Sequence, residues 1–447
     1  VKRSWISAGL AAATLAGCVH YAPSPPHPEQ FSAALEARRL DEKPAGAVWS
    51  RADLLAAALS RNSRVTEAKA KYLTAVAAAR AAKQAPGLTL TLTAEYADET
   101  PRWGYGAAAD VPVDGGARRG ARMTTADLQA LQAWYDYGEA VWAVRTALEK
   151  ARIELEAADA ATALADRAAS LRRERLQRLE RRTAAGEDDR TATLIAQTDL
   201  AAAERRLADA GGRRDQATVA LAKALGVGPG AARGLVLAPM GGPPPLDALP
   251  TWRRDAALFR SDVLRAVVDY DLSENALRLE VARQYPEVRI GPGYNYDHGI
   301  NKLPLNISLI LPSYDLNRAA IGHAEAARIA AGRSLEAVQA DALAAVDTAA
   351  SALSTAQANL QRITARELPA ARATAAGVAR SVDAGEADRV DDLAARAAEL
   401  DAELNLLDAR RAVWAASSDL EDALRRSFDP SEGAVLQSAM TRPGGSS

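Results

Sequence analysis

The sequence predicts a mainly α-helical chain with β strands of the length and alternation that suit a bilayer, built as a two-fold repeat of helix, β-hairpin and very long helical hairpin. Three observations predict it. From Ala117 to Arg182 no proline occurs and helix formers dominate, which at about 1.5 Å per residue makes a rod about 100 Å long. The turn that ends this rod, Ala185-Gly186-Glu187, recurs late in the chain as Ala384-Gly385-Glu386. Ahead of each rod lie two short stretches in which apolar residues alternate with polar or small ones, the period of a half-buried strand.

Composition narrows the function classes. A formal net charge of -2 and a pI near 6.2 argue against nucleic acid as an electrostatic partner. Aromatic residues make up only 5%, so thin helical layers with alanine-lined seams are expected rather than a thick aromatic core. The single cysteine, Cys18, closes a short apolar run (Ile6 to Leu15) that follows Lys2 and Arg3. A basic start, a short apolar stretch and small residues make an export signal over 1–17, too short to span a membrane as a helix. Its ending, Leu15-Ala16-Gly17-Cys18, resembles a bacterial lipoprotein signal, which implies cleavage before Cys18 and lipid on its thiol. An ordinary export signal that contains a cysteine is the other reading.

Residues 18–49 are proline-rich and aperiodic, an extended leader. The first repeat occupies 50–226. Ser50 is a candidate N-cap for a helix through Leu59, and a second helix runs from about Arg64 to Gln84. Leu88, Leu90, Leu92, Ala94 and Tyr96 then alternate with threonines and Glu95. Trp103, Tyr105, Ala107, Ala109, Val111 and Val113 alternate with glycine, Ala108, Asp110 and Pro112. Nine residues suit a strand crossing a bilayer within a barrel. In the rod, Trp134, Val141, Leu148 and Leu155 fall seven apart, a seam for packing along the whole length. The return helix carries Leu200, Leu207 and Leu221 on one face.

A Gly/Pro-rich connector over 227–250, with Pro243-Pro244-Pro245, separates the halves. The second repeat, 251–426, restates the first. Strands are expected at about 288–297 and 303–311, then a rod from about Asn317 to Val382 that is kinked or loosened at Pro369. On its return helix Leu393, Leu400, Leu407 and Trp414 are seven apart, and 427–447 reads as a disordered tail. Four alternating strands are too few to close a barrel, since single-chain outer-membrane barrels start at eight, and open edges are not tolerated in lipid. Either the strands are not in a membrane or several chains share one barrel.

With this order and spacing, nearly the whole mature chain resembles the TolC-type outer-membrane factor family of bacterial efflux systems. Asp110-Val-Pro112-Val-Asp114-Gly-Gly-Ala-Arg118-Arg119-Gly-Ala-Arg122 and Glu367-Leu-Pro369 are most similar to its cobalt-zinc-cadmium (CzcC-like) branch. The resemblance implies a homotrimer with a twelve-stranded outer-membrane barrel and a helical tunnel across the periplasm. It implies a lipid-anchored protein docking onto a periplasmic membrane-fusion adaptor whose inner-membrane pump supplies the energy. Arg182 and Ser381 stand where the family often has an aromatic, four residues before the turn glycine.

The resemblance also implies site residues. Gly186, Glu187, Gly385 and Glu386 would form the tip that meets the adaptor, although a glycine there also simply ends a helix. Counting from Gly385, the family's acidic constriction falls on Asp391, with Asp392 beside it; the second acidic position is Ala394 here. Three copies would place like charges at a gate that favours cations. A solvated helix face is the plainer reading. The histidines His20, His27, His298 and His323 are scattered, so no metal site and no cofactor is expected. No phosphate loop, nucleophile elbow or paired-carboxylate pocket points to an enzyme. The expected function is a passive outer-membrane conduit for efflux, of heavy-metal cations if the branch resemblance holds and of drugs otherwise. The competing reading is a periplasmic coiled-coil spacer or adaptor lipoprotein, which would need no lipid-facing strands.

Overall fold

The computed structural model describes residues 21–44, 46–84, 87–98, 100–113, 116–242, 246–297 and 299–441. The export signal, Cys18, His20, His298 and Pro243 to Pro245 lie outside the described residues.

The leader is only partly extended. It forms α1 (Phe31–Ala37) and β1 (Val48–Trp49), and the Leu35 carbonyl accepts the Gly228 N–H at 3.2 Å. Arg38 donates to the carbonyls of Gly226 (2.8 Å) and Arg61 (3.2 Å), fixing the leader to the end of the first repeat. Helix α2 (Arg51–Arg61) starts at Ser50 in a capping box with Asp53, and Asn62 caps α3 (Ser63–Ala82).

The strands form one sheet from both repeats. β2 (Thr89–Tyr96) pairs antiparallel with β3 (Trp103–Val113), placing Leu92 opposite Ala107. β3 pairs with β5 (Glu287–Asp297), placing Val111 opposite Ile290. The returning strand of the second hairpin is broken into β6 (Ile300–Lys302) and β7 (Leu305–Ile310), not continuous over 303–311. Pro304 explains the break, since it has no N–H for the ladder; its carbonyl still accepts the Gly293 N–H at 2.8 Å. This register gathers the apolar positions of the paired strands on one face, and that face is largely bare: Leu92 is 73% exposed, and Leu305 and Ile307 64% each. Among the described residues both outer strands, β2 and β7, keep an unpaired edge.

Helix α4 (Gly116–Ala184) is a single rod, and α5 (Arg190–Leu225) returns along it. Val141, Leu148 and Leu155 are buried in the waist core with Trp134 packed against it. The return seam is alanine rather than leucine: α5 buries Ala196, Ala203, Ala210 and Ala217, and leaves Leu200 and Leu207 half-buried. Short methyl side chains let the two backbones approach, which displaces the longer leucines to the flank. The connector contains α6 (Pro229–Ala232) and β4 (Val236–Leu237), which pairs in parallel with β1.

The second repeat adds α7 (Leu249–Phe259), α8 (Ser261–Ala282) and α9 (Arg318–Arg362). A π-helical turn, Ile363–Glu367, follows, then α10 (Leu368–Asp383). Pro369 sits just inside α10, and without an N–H it cannot serve the carbonyl four residues back. The buried line shows the cost in register. Val346, Leu353 and the partly buried Leu360 are seven apart, as are Leu368 and Ala375, but Leu360 to Leu368 is eight, and the π turn absorbs the extra residue. Helix α11 (Arg389–Leu424) buries Ala402, Ala409, Ala416 and Ala423, while Leu400, Leu407 and Trp414 are half-buried.

The tail is not disordered where it is described. α12 (Pro430–Ala439) starts on an Asp429 cap and buries Leu436 in the waist core beside Leu54, Leu148 and Leu221. Beneath it lies a buried charge joint. Arg145, 0% exposed, donates to Glu432 (two bonds of 3.0 Å) and to Glu421, and Arg51 reaches both carboxylates at 2.8 Å.

The helices make a single layer. In its upper half α3 packs on α4, α4 on α8 and α8 on α9; below, α5 packs on α4, α4 on α11 and α11 on α10. The outermost elements are therefore β2, α3 and α5 on one side and β7, α9 and α10 on the other. Among the described residues no helix is long and apolar enough to cross a membrane.

Candidate functional site: the hairpin tips

The two helical hairpins end side by side, in turns of the same geometry. Gly186 and Gly385 take left-handed backbone angles, φ +75° and +76°. The N–H of Glu187 donates to the Arg182 carbonyl at 2.9 Å, and that of Glu386 to the Ser381 carbonyl at 2.8 Å. Each is a Schellman closure, in which a residue without a Cβ accepts positive φ at no steric cost. No atom lies within 4 Å of a Cβ built at either glycine, and Glu187 and Glu386 are exposed. The four predicted tip residues thus stand together on open surface.

The helices leaving the turns are capped by aspartates. Asp189 accepts from Thr191 N–H, and its hydrogen bonds to Thr191 hold its carboxyl below the usual carboxylate range. Asp388 caps α11 in a capping box whose other member is Asp391, which accepts the Asp388 N–H at 3.4 Å. Asp391 is exposed. Asp392 is not available as an outward-facing gate residue: it is 1% exposed, accepts from Arg396 at 2.8 Å and is paired with Arg389. A carboxylate on this inner helix face is costly unless paired, and the two flanking arginines, three back and four on, pair it.

Arg182 ties the two tips together. It contacts Asp188 of its own turn at 2.9 Å and also Asp388 of the other. Behind this link Leu179, Ala196 and Val390 form a small apolar cluster shared by both hairpins. Higher up, Asp401 accepts from Arg172 and, at 3.1 Å, from Arg206. The Arg182 to Asp388 contact is invisible in sequence, because its members lie in different repeats. The only hint was that Arg182 replaces an expected aromatic.

Among the described residues no three side chains are grouped to hold a metal ion. His27 is exposed and contacts Glu29 at 3.2 Å, and His323 is exposed on α9.

The sequence model of a family described as "Outer membrane efflux protein" matches residues 54–227 and 252–424. No curated protein sequence matches the chain. Among solved structures, the fold is similar to the outer membrane protein VceC of Vibrio cholerae, at 18% identity and a TM-score of 0.70, over 85% of this chain and 97% of that one. It is similar to the open state of the MtrE outer membrane channel of Neisseria gonorrhoeae, at 18% identity and 0.69, over 84% and 89%. The CmeC outer membrane channel of Campylobacter jejuni matches at 12% identity and 0.71, over 94% and 98%.

Proposed function

We infer, from the premise that this chain belongs to the outer membrane efflux protein family, how its parts serve as an outer-membrane efflux channel with a helical periplasmic extension. One observation carries the reading: a sheet of two hairpins, the last strand broken into β6 and β7, with one apolar, largely exposed face and, among the described residues, two unpaired edges. Lipid satisfies the face, and only further strands satisfy the edges. Three copies, each placing its β7, α9 and α10 side against the β2, α3 and α5 side of the next, close a twelve-stranded barrel and a helical tunnel beneath it. A spacer lipoprotein would have no use for such a face.

In this reading the protein is a passive conduit, anchored by lipid on Cys18. The Gly186-Glu187 and Gly385-Glu386 turns face outward at the far end of the rods, where a periplasmic adaptor of an inner-membrane pump would dock. Asp391 supplies three like charges around the axis at the tip, and the Arg182 to Asp388 link holds the hairpins together when the tip is closed. Heavy-metal cations are the proposed cargo, on the CzcC-like motifs of the chain. Asp392 serves the hairpin's structure, and the gate charge falls to Asp391 alone.

Asp391→Ala is expected to raise single-channel conductance and weaken cation preference in planar bilayers. Because Asp391 also belongs to a helix cap, whose loss costs about 1 kcal/mol, Asp391→Asn serves as the control that keeps a hydrogen-bond acceptor and removes only the charge. Unchanged conductance and selectivity in both variants would remove Asp391 from the gate.

A further inference from the structure

Helix α5 carries two seams. One, the alanines at 196, 203, 210 and 217, is filled by α4. On the opposite side Leu194, Ala201, Ala208, Gly212 and Val219 follow the four-and-three spacing of a second packing line, and all five are exposed. Within it stands a glycine pair, Gly211-Gly212, in the interior of a 36-residue helix. Each glycine costs about 1 kcal/mol relative to alanine. Among the described residues nothing requires them, since a Cβ at either would meet no atom within 4 Å. What requires them must come from outside the chain.

The other open side of the layer offers a matching shape. The two turns are tied at one level through Arg182 and Asp388, so heights can be counted from the turns. At about 1.5 Å per residue, Gly211 and the start of the π turn at Ile363 both lie about 30 Å above them. A π turn is wider than an α turn, and Ile363–Glu367 has no buried residue. The charges match in height as well. Arg205 on α5 is level with Glu367, whose carboxylate accepts only the Asn405 amide at 2.7 Å, and Asp209 is within about a turn of Arg366; Arg205, Asp209 and Arg366 are exposed, and none of the three makes an ion pair among the described residues.

We propose that the second seam of α5 receives the π turn and α10 of a neighbouring copy, with Gly211-Gly212 as the notch for the wider turn. Asp209 then faces Arg366, and Arg205 faces Glu367, of that copy. The single irregular turn of the rods thereby sets the vertical register between copies. This rests on the trimeric reading above, and it says which residues meet.

The test is disulfide trapping in the full-length protein, combining Ala208→Cys with Arg366→Cys and keeping Cys18, whose thiol the reading above places under lipid. Native mass spectrometry of the same sample reports the oligomer. The expected result is covalently linked trimers on a denaturing gel from the pair and none from either single variant. A trimer by mass with no cross-link from the pair would overturn the register while leaving the trimer standing. A monomer by mass from the unaltered protein would overturn the trimeric reading and this proposal with it. If the cysteine pair fails to assemble, the charge exchange decides. Asp209→Arg is expected to lower the fraction of trimer surviving heating, and adding Arg366→Asp to restore it. A double variant as weak as the single would contradict the pairing.

Discussion

Arg145→Met is expected to destabilise the waist by about 3–5 kcal/mol, the range found when one partner of a buried ion pair is removed. Arg145 is fully buried and is shared by Glu421 of the second repeat and Glu432 of the C-terminal helix. Its loss leaves two buried carboxylates with Arg51, which contacts both, as their one remaining cation among the described residues, beside the neutral Phe428 N–H on Glu421 and the Ser427 hydroxyl on Glu432. Burial opposes the charge on Arg51, yet Glu149, Glu421 and Glu432 hold its pKa above the ordinary value, so one cation is already shared among three carboxylates. The outcome to look for is a large drop in thermal midpoint and loss of heat-resistant oligomer; an unchanged melt would show that the joint is not holding the repeats together. Acidification should act in the same direction. Burial alone would raise the Glu149 pKa, but Arg152, Arg51 and Arg145 bring it below the ordinary glutamate value. The stability Glu149 contributes is therefore present above its unfolded pKa and is lost as pH falls through the folded one.

Leu92→Lys and Thr91→Lys, adjacent on β2, are expected to differ sharply. Leu92 lies on the apolar face with Ala107 as its cross-strand partner, and Thr91 points to the other face, opposite Ala108. A lysine facing lipid near the middle of a barrel strand costs about 2–4 kcal/mol, and a shared barrel suffers it once per copy. Leu92→Lys should abolish insertion into the outer membrane, measured by fractionation and protease protection, while Thr91→Lys should insert normally and alter only conductance. Equal tolerance of both would mean that the apolar face does not meet lipid.

These two sites differ in how far the sequence disclosed them. The strand face was legible, because period-two alternation at Leu88 to Tyr96 and at Val288 to Tyr296 leaves one solution for which side is apolar. The rods and their glycine turns were legible for the same local reason. Pro369 marked a loosening, and the eight-residue step from Leu360 to Leu368 explains in retrospect why a π turn rather than a simple kink results. The alanine seams were harder, since leucines at the same spacing competed for the assignment and only the close approach of the backbones decided it. The charge joint could not be read at all. Arg145 and Glu432 are 287 positions apart, and the segment holding Glu432 is a ten-residue stretch past the repeat, too short to show the periodicity of a docked helix. At the tip the same limit applied: Asp391 and Asp392 are equivalent in sequence, and only packing of α11 against its neighbours turns one outward and buries the other.

Planar-bilayer conductance of the detergent-extracted oligomer, with its mass determined in the same preparation, tests the shared-barrel channel most directly. A trimer that forms small, steady, cation-preferring channels is the expected result. A monomer that remains in solution without detergent and opens no channel would contradict it, because the apolar strand face would then have to be covered by something other than lipid.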